Sequence, residues 1–196
     1  MIHDEEALGR AVLRPHRRPL GAAHIFYGKG HWPRGCMVGP DYICLSIAYI
    51  LIWAPSVGLL IALAAQSSAV NFFVVFISLL LVTATLNAAA FSDPGIIPKN
   101  EMASDDVSLP PTEEGTGRTL CARCLVYRPR GAFHCKDCDC CVEELDHHCP
   151  WTGHCIGKAN LNAFRLYLGM LAAHIVVVVV FAMLLAAKSG GQHVRL

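Results

Sequence analysis

Charge is scarce in this chain. Only 16 % of its 196 residues are charged, where soluble domains usually carry about 25 %, and mean hydropathy is +0.44. The deficit is concentrated in three runs, 41–65, 69–91 and 166–187, in which Asp41 is the single charge. Each run reaches the roughly 20 residues that a membrane-spanning helix needs. Three such runs exclude an ordinary soluble domain and predict an α-helical integral membrane protein with three transmembrane helices. A signal peptide is also missing, since the first forty residues are polar and basic. No phosphate loop or dinucleotide fingerprint occurs, no internal repeat is visible beyond the spaced cysteines, and no nucleic-acid partner is expected. Pro55 predicts a kink in the first span, which neighbouring spans tolerate. Asn87 and His174, polar residues inside spans, are expected to face the bundle interior.

Lys and Arg set the orientation. The N-terminal arm, 1–40, carries Arg10, Arg14, Arg17, Arg18, Lys29 and Arg34, while the link between the first two spans has neither residue type. The positive-inside rule therefore places the N-terminus in the cytosol. Two crossings return the chain there, so the linker 92–119 and the cysteine-rich segment 120–165 are expected to be cytosolic. The third span then carries the tail 188–196 to the far side, where Lys188 and Arg195 weakly oppose the rule. The linker is rich in Pro, Gly, Ser and acids, the composition of a flexible connection.

Ten cysteines are present, eight of them between Cys121 and Cys155. In the cytosol such thiols stay reduced, which excludes a disulfide framework and leaves metal binding or catalysis. The segment also lacks an apolar core of its own, so it needs a staple such as zinc to fold. Two thiolates separated by two residues can reach one tetrahedral zinc. Three pairs have that spacing: Cys121/Cys124, Cys135/Cys138 and Cys138/Cys141.

Two partitions fit the count. One is a single all-cysteine site of Cys121, Cys124, Cys138 and Cys141. The other is a pair of interleaved sites, Cys121, Cys124, His134 and Cys141 at one ion, and Cys135, Cys138, His148 and Cys155 at the other. The second suits adjacent side chains such as His134 and Cys135, which point apart. It leaves over Cys140, Cys149, His147 and His154. Cys140 reads most simply as a spare exposed thiol. Cys149 has His147 two residues before it and Asp146 next to that histidine, the thiol, base and orienting carboxylate of nucleophilic catalysis. The alternative is that Cys149 is a further ligand or a structural thiol.

The stretch CARCLVYRPRGAFHCKDCDCCVEELDHHCPWTGHCIGKANLNAF, 121–164, resembles the cysteine-rich domain of the DHHC protein S-acyltransferases, the integral-membrane palmitoyltransferases. The likeness is carried by the cysteine spacings, Arg128-Pro129, His134-Cys135, Asp146 to Trp151, Cys155 to Gly157, Asn160 and Phe164. Asp93 to Gly95 resembles a further family motif just after the second span. The resemblance implies the interleaved partition with two structural zinc ions. It implies that Cys149 carries the acyl group, with Asp146 and His147 as its activating pair and His148 on the zinc side.

The implied reaction moves a palmitoyl group from acyl-CoA to a cysteine of a substrate protein through an acyl-enzyme. Zinc with four protein ligands has no open position and serves as scaffold. Arg128, Arg130 and Lys136 are candidates for the CoA phosphates, against the alternative of solvated surface charge. Implied partners are the bilayer, acyl-CoA and substrate proteins with cysteines near the membrane, and the implied location is the Golgi, the endoplasmic reticulum or the plasma membrane. Two departures stand out. His154 occupies a position where the family usually has Asn, and its imidazole is expected either to replace the amide's hydrogen bonds or to compete for zinc. The family also has at least four spans and a Thr-Thr-x-Glu motif, neither of which this sequence contains. That implies a form shortened after the third span, which binds zinc but transfers acyl groups poorly, or a non-catalytic zinc-binding adaptor of a full-length enzyme.

Overall fold

The computed structural model of the chain describes residues 24–27, 36–66, 68–98, 111–113 and 115–193. The cations that set the expected orientation of the N-terminal arm lie outside the described residues, as does Arg195.

Each apolar run forms a helix. α1 is Tyr42–Ala65, α2 is Ala69–Ala90 and α3 is Leu161–His193, and all three are long and apolar enough to cross a membrane. A hydrophobic surface on every side leaves the packing face to be chosen by shape. On α2 it is the stripe Val75, Leu79, Val82, Leu86, Ala89 and Ala90, fully buried and spaced by three and four residues as a helix face requires. α2 packs against both neighbours, and α1 touches α3 least. α1 remains helical through Pro55, where Ser56 Oγ donates to Ile52 O at 2.6 Å.

Of the two polar residues expected to face the bundle interior, His174 is buried, while Asn87 is exposed and turns its amide to the neighbouring helix. The Tyr49 hydroxyl of α1 bonds to Asn87 of α2. His174 of α3 lies 2.9 Å from Ser56 of α1 and 3.0 Å from Ser78 of α2, one through each ring nitrogen. α3 begins five residues before its apolar run. The amide of Gly157 is held by Asn160 Oδ1 at 2.9 Å, and the N–H groups of Leu161 and Phe164 bond to the carbonyls of Gly157 and Asn160 at 3.0 Å. Hydropathy marks where the membrane-compatible stretch starts, while capping marks where the helix starts.

Among the described residues, nine short strands surround the helix ends. β1 (His24–Tyr27) pairs with β2 (Cys36–Val38) ahead of α1. β3 (Ile96–Ile97) follows α2. The cysteine-rich segment is three antiparallel hairpins: β4 (Thr119–Cys121) with β5 (Val126–Arg128), β6 (Phe133–Cys135) with β7 (Cys140–Val142), and β8 (His147–Cys149) with β9 (His154–Ile156). β3 adds to the edge of β7, so the segment just after α2 becomes part of this module.

The hairpins are copies of one unit. Their last registered pairs are Cys121↔Val126, Cys135↔Cys140 and Cys149↔His154. Four residues after each of these cysteines the backbone turns left-handed, at Leu125 (φ 52), Asp139 (φ 49) and Gly153 (φ 84). The step is 14 residues, from 121 to 135 to 149. The expectation of no repeat beyond the spaced cysteines is thus corrected. The repeat is a turn geometry that metal ligands can enforce, which leaves side chains between the ligands free to diverge.

Close backbone contacts seat the third hairpin on the helices. Asp41 N donates to Gly153 O at 3.2 Å and Met37 N to Phe91 O at 3.2 Å. At Gly39 a Cβ would stand 2.1 Å from Gly153 O and 2.4 Å from His154 Cβ, so no other residue fits. Gly39→Ala is expected to push the hairpin off α1 and to destabilise the chain by about 1–3 kcal/mol, the usual cost of overpacking. A thermal unfolding midpoint equal to that of the parent protein would contradict this contact.

Candidate functional site

The structure gathers eight of the sequence candidates into two groups of four. Cys121, Cys124, His134 and Cys141 form one, and Cys135, Cys138, His148 and Cys155 the other, with the four ligand atoms of each within 4.8 Å of one another. The construction follows the repeat. Each group takes the Cys-x-x-Cys turn of one hairpin and the cross-strand His/Cys pair of the next, His134↔Cys141 or His148↔Cys155. Strand alternation makes this necessary: His134 and Cys135 are neighbours on β6, point to opposite faces and serve different groups.

The donor geometry fits zinc. With Zn–S near 2.3 Å and Zn–N near 2.0–2.1 Å, tetrahedral edges are about 3.5–3.8 Å. His148 Nδ1 lies 3.5, 3.4 and 3.7 Å from the sulfurs of Cys135, Cys138 and Cys155, and the Cys138 and Cys155 sulfurs are 3.4 Å apart. His134 Nδ1 lies 3.3 Å from Cys124 Sγ and 3.9 Å from Cys141 Sγ. The six cysteines of the two groups are buried. Burial and hydrogen bonding to Cys121 push the Cys141 thiol up, and hydrogen bonds to Cys135 and Cys138, with burial, push Cys155 up. Thiols so crowded cannot all ionise without a cation among them. The two Cys3His groups fit two zinc ions.

His148 is held on its other side too. Its Nε2 lies 2.6 Å from Asp41 Oδ2. Burial opposes a charge on this ring, and the Asp41 hydrogen bond with the neighbouring Cys138 outweighs it, so the imidazole pKa stands above its ordinary value.

Cys149 belongs to neither group. It occupies the first-cysteine position of the third turn, and Thr152 stands where Cys124 and Cys138 stand in the other two. Thr152 is fully buried, and its hydroxyl lies 3.1 Å from Cys149 O and 3.4 Å from His154 O. On β8, His147 and Cys149 share one face and His148 takes the other. His147 Nδ1 lies 2.7 Å from Asp146 Oδ2, and its ring packs edge-on against Phe164, with centroids 5.1 Å apart.

Cys149 lines the smaller of two neighbouring apolar cavities. The smaller, about 370 Å³, is lined by His147, His148, Cys149, Phe164 and Leu168 together with Trp151, Tyr167 and Leu171. The last three also line a larger cavity of about 520 Å³, which runs between α1 and α3 along Ile52, Ser56, His174 and Val178.

The remaining candidates are placed as follows. Cys140 is buried rather than exposed, with 1 % of its surface accessible, because the register of β6 and β7 turns it inward. Its hydrogen bond to Cys138, with burial, pushes its pKa up and leaves it an inert thiol. His154 joins neither zinc group. Its Nε2 and Nδ1 each lie 2.7 Å from a carbonyl, Ala90 O at the end of α2 and Cys155 O, so it replaces an amide's hydrogen bonds and does not compete for metal. Arg128 ends β5, Arg130 follows it, and Lys136 lies in the turn of the second hairpin. None of the three lines either cavity. Sequence reasoning missed Asp41 and Thr152. The signal for Asp41 was there, as the single charge in three apolar runs. For Thr152 it was the 14-residue step.

The family model for DHHC palmitoyltransferase matches residues 114–193. The chain is similar to palmitoyltransferase ZDHHC5 of Homo sapiens, 44 % identical over 117 residues, which cover 55 % of this chain and 16 % of that protein. It is similar to palmitoyltransferase ZDHHC8 of Mus musculus, 42 % identical over 114 residues, covering 54 % of this chain and 15 % of the relative. The matched region thus spans about a sixth of the length of these relatives. With its three apolar helices the chain is a multi-pass membrane protein.

Proposed function

We propose that this chain, matched over residues 114–193 by the family model for DHHC palmitoyltransferase, is a protein S-acyltransferase that carries a long acyl group on Cys149. The observation that carries the reading is the position of that thiol. It lies outside both zinc groups, on one strand face with His147, in the wall of an apolar cavity that shares Trp151, Tyr167 and Leu171 with a larger one between α1 and α3.

The chemistry follows from that placement. Asp146 holds the proton on His147 Nδ1, which leaves Nε2 to take the proton of the Cys149 thiol. The Cys149 sulfur attacks the thioester carbonyl of acyl-CoA. The tetrahedral oxyanion collapses, the bond to the CoA sulfur breaks, and His147 returns its proton to the leaving thiolate. In the second half-reaction the thiol of a substrate protein gives its proton to His147 and attacks the acyl-enzyme, and Cys149 leaves and is reprotonated. The acyl chain lies in the cavity between α1 and α3, where each methylene removed from water contributes about 0.8 kcal/mol. Zinc, held by Cys121, Cys124, His134 and Cys141 and by Cys135, Cys138, His148 and Cys155, stabilises the scaffold. Arg128, Arg130 and Lys136 meet the CoA phosphates outside the cavities. The cysteine-rich module faces the cytosol of an endomembrane or plasma membrane, where acyl-CoA and juxtamembrane substrate cysteines are found. Incubation of the purified chain with palmitoyl-CoA tests the reading, which predicts an acyl adduct labile to hydroxylamine. Zinc binding with no adduct would make the chain an adaptor.

The third turn supplies a sharper test. Thr152→Cys gives it the cysteine pair of the other two turns. Autoacylation of this variant is expected to fall sharply on addition of free zinc, because two thiolates at this spacing can share one ion. The parent protein is expected to be indifferent. An equal response of both proteins would show that the third turn lacks the geometry of the first two.

A further inference from the structure

Asp41 stands at the N-cap of α1. An aspartate there ordinarily accepts a hydrogen bond from the N–H of the second or third helical residue. Asp41 makes no such bond. Its carboxylate turns to the third hairpin instead, with Oδ2 at 2.6 Å from His148 Nε2, and its own N–H donates to Gly153 O at 3.2 Å. The same residue thus grips the hairpin by backbone and by side chain.

The other edge of the His148 ring faces sulfur, with Nδ1 3.4 to 3.7 Å from the sulfurs of Cys138, Cys135 and Cys155. A carboxylate on Nε2 keeps the ring proton there and leaves the Nδ1 lone pair to the metal group. The first group is built differently. Asp139 Oδ1 lies 3.7 Å from His134 Nε2, beyond hydrogen-bond distance, and Asp139 belongs to the same hairpin as His134 rather than to a membrane helix. The link from a helix to a zinc-group histidine through a carboxylate is seen at the second group, next to Cys149.

We propose that Asp41 is a positioning residue of the transfer site: it fixes His148 with Nδ1 toward Cys135, Cys138 and Cys155, and so couples metal retention there to the seating of the Cys149 hairpin on α1. This rests on the reading of that group as a zinc site. Removal of the carboxylate frees the ring to rotate and loosens the hairpin from the helix in one step. Loss of such an outer partner typically lowers metal affinity on the order of tenfold to a hundredfold.

The test follows zinc release from the full chain in nanodiscs to a chromogenic chelator. The parent protein is expected to release two equivalents slowly. Asp41→Ala is expected to release one of them at least several-fold faster and the other at the parent rate. Asp41→Asn is expected to fall between, since its amide oxygen still accepts the Nε2 proton but carries no charge. Alkylation of Cys149 in zinc-loaded Asp41→Ala is expected to be faster than in the parent protein. Unchanged release of both equivalents would overturn the proposal. Equal acceleration of both would also overturn it, because a general destabilisation of the chain gives that result. A parent protein with fewer than two equivalents would remove the zinc reading itself, and the proposal with it.

Discussion

Cys149→Ser is expected to abolish the acyl-enzyme and to leave both zinc equivalents in place. The thiol opens the third hairpin turn and lies in neither Cys3His group. Its counterparts Cys121 and Cys135 lie in the two zinc groups, while its own turn offers Thr152 in place of a second sulfur. Serine is smaller than cysteine and enters a position only 7 % exposed without a clash. Its hydroxyl is a far poorer nucleophile toward a thioester than a thiolate, so chemistry is lost while the fold survives. Metal analysis and intact mass of the variant check both halves. Loss of one zinc equivalent would make Cys149 a ligand.

His147→Ala and His148→Ala are expected to part company although the two residues are adjacent. His148 contributes Nδ1 to a zinc group and Nε2 to Asp41. Binding energy at a structural zinc is folding energy, so His148→Ala should lose about one zinc equivalent and unfold at lower temperature. His147 faces the cavity and touches Asp146 and Phe164. His147→Ala should keep both zincs and its thermal midpoint, and lose on the order of 10²–10⁴ in acylation rate, the usual contribution of a positioned base. Raising the pH should partly restore that rate, because hydroxide can take the thiol proton when the imidazole is gone. It should not rescue His148→Ala. Equal zinc content and equal stability of the two variants would refute the division between them.

Much of this architecture is legible before any coordinates. The three uncharged runs predict three helices because hydrocarbon length and helix rise leave little choice. The spacing of the cysteines and histidines predicts zinc, and the resemblance to the DHHC family names the same two sets of four that the structure brings together. What the sequence hides is whatever depends on long-range docking. Asp41 and His148 are far apart along the chain, and no local pattern links them. Cys140 looks like an exposed spare until the register of β6 and β7 turns it inward. His154 looks like a competing ligand until its ring is found between two carbonyls. The start of α3 is hidden for another reason, since Asn160 and Gly157 set it through capping bonds before the apolar run begins. The three-hairpin repeat was visible in the 14-residue step, but three of its ligand positions are filled by Leu120, Tyr127 and Thr152, and that obscures it.

The most direct test of the account is intact mass spectrometry of the full chain under conditions that retain bound metal, after incubation with palmitoyl-CoA, followed by peptide mapping. The account predicts one hydroxylamine-labile palmitoyl group, located on Cys149, on a chain that still holds two zinc ions. A palmitoyl group on another cysteine with Cys149 unmodified, or an acylated chain that has given up a zinc ion, would contradict it.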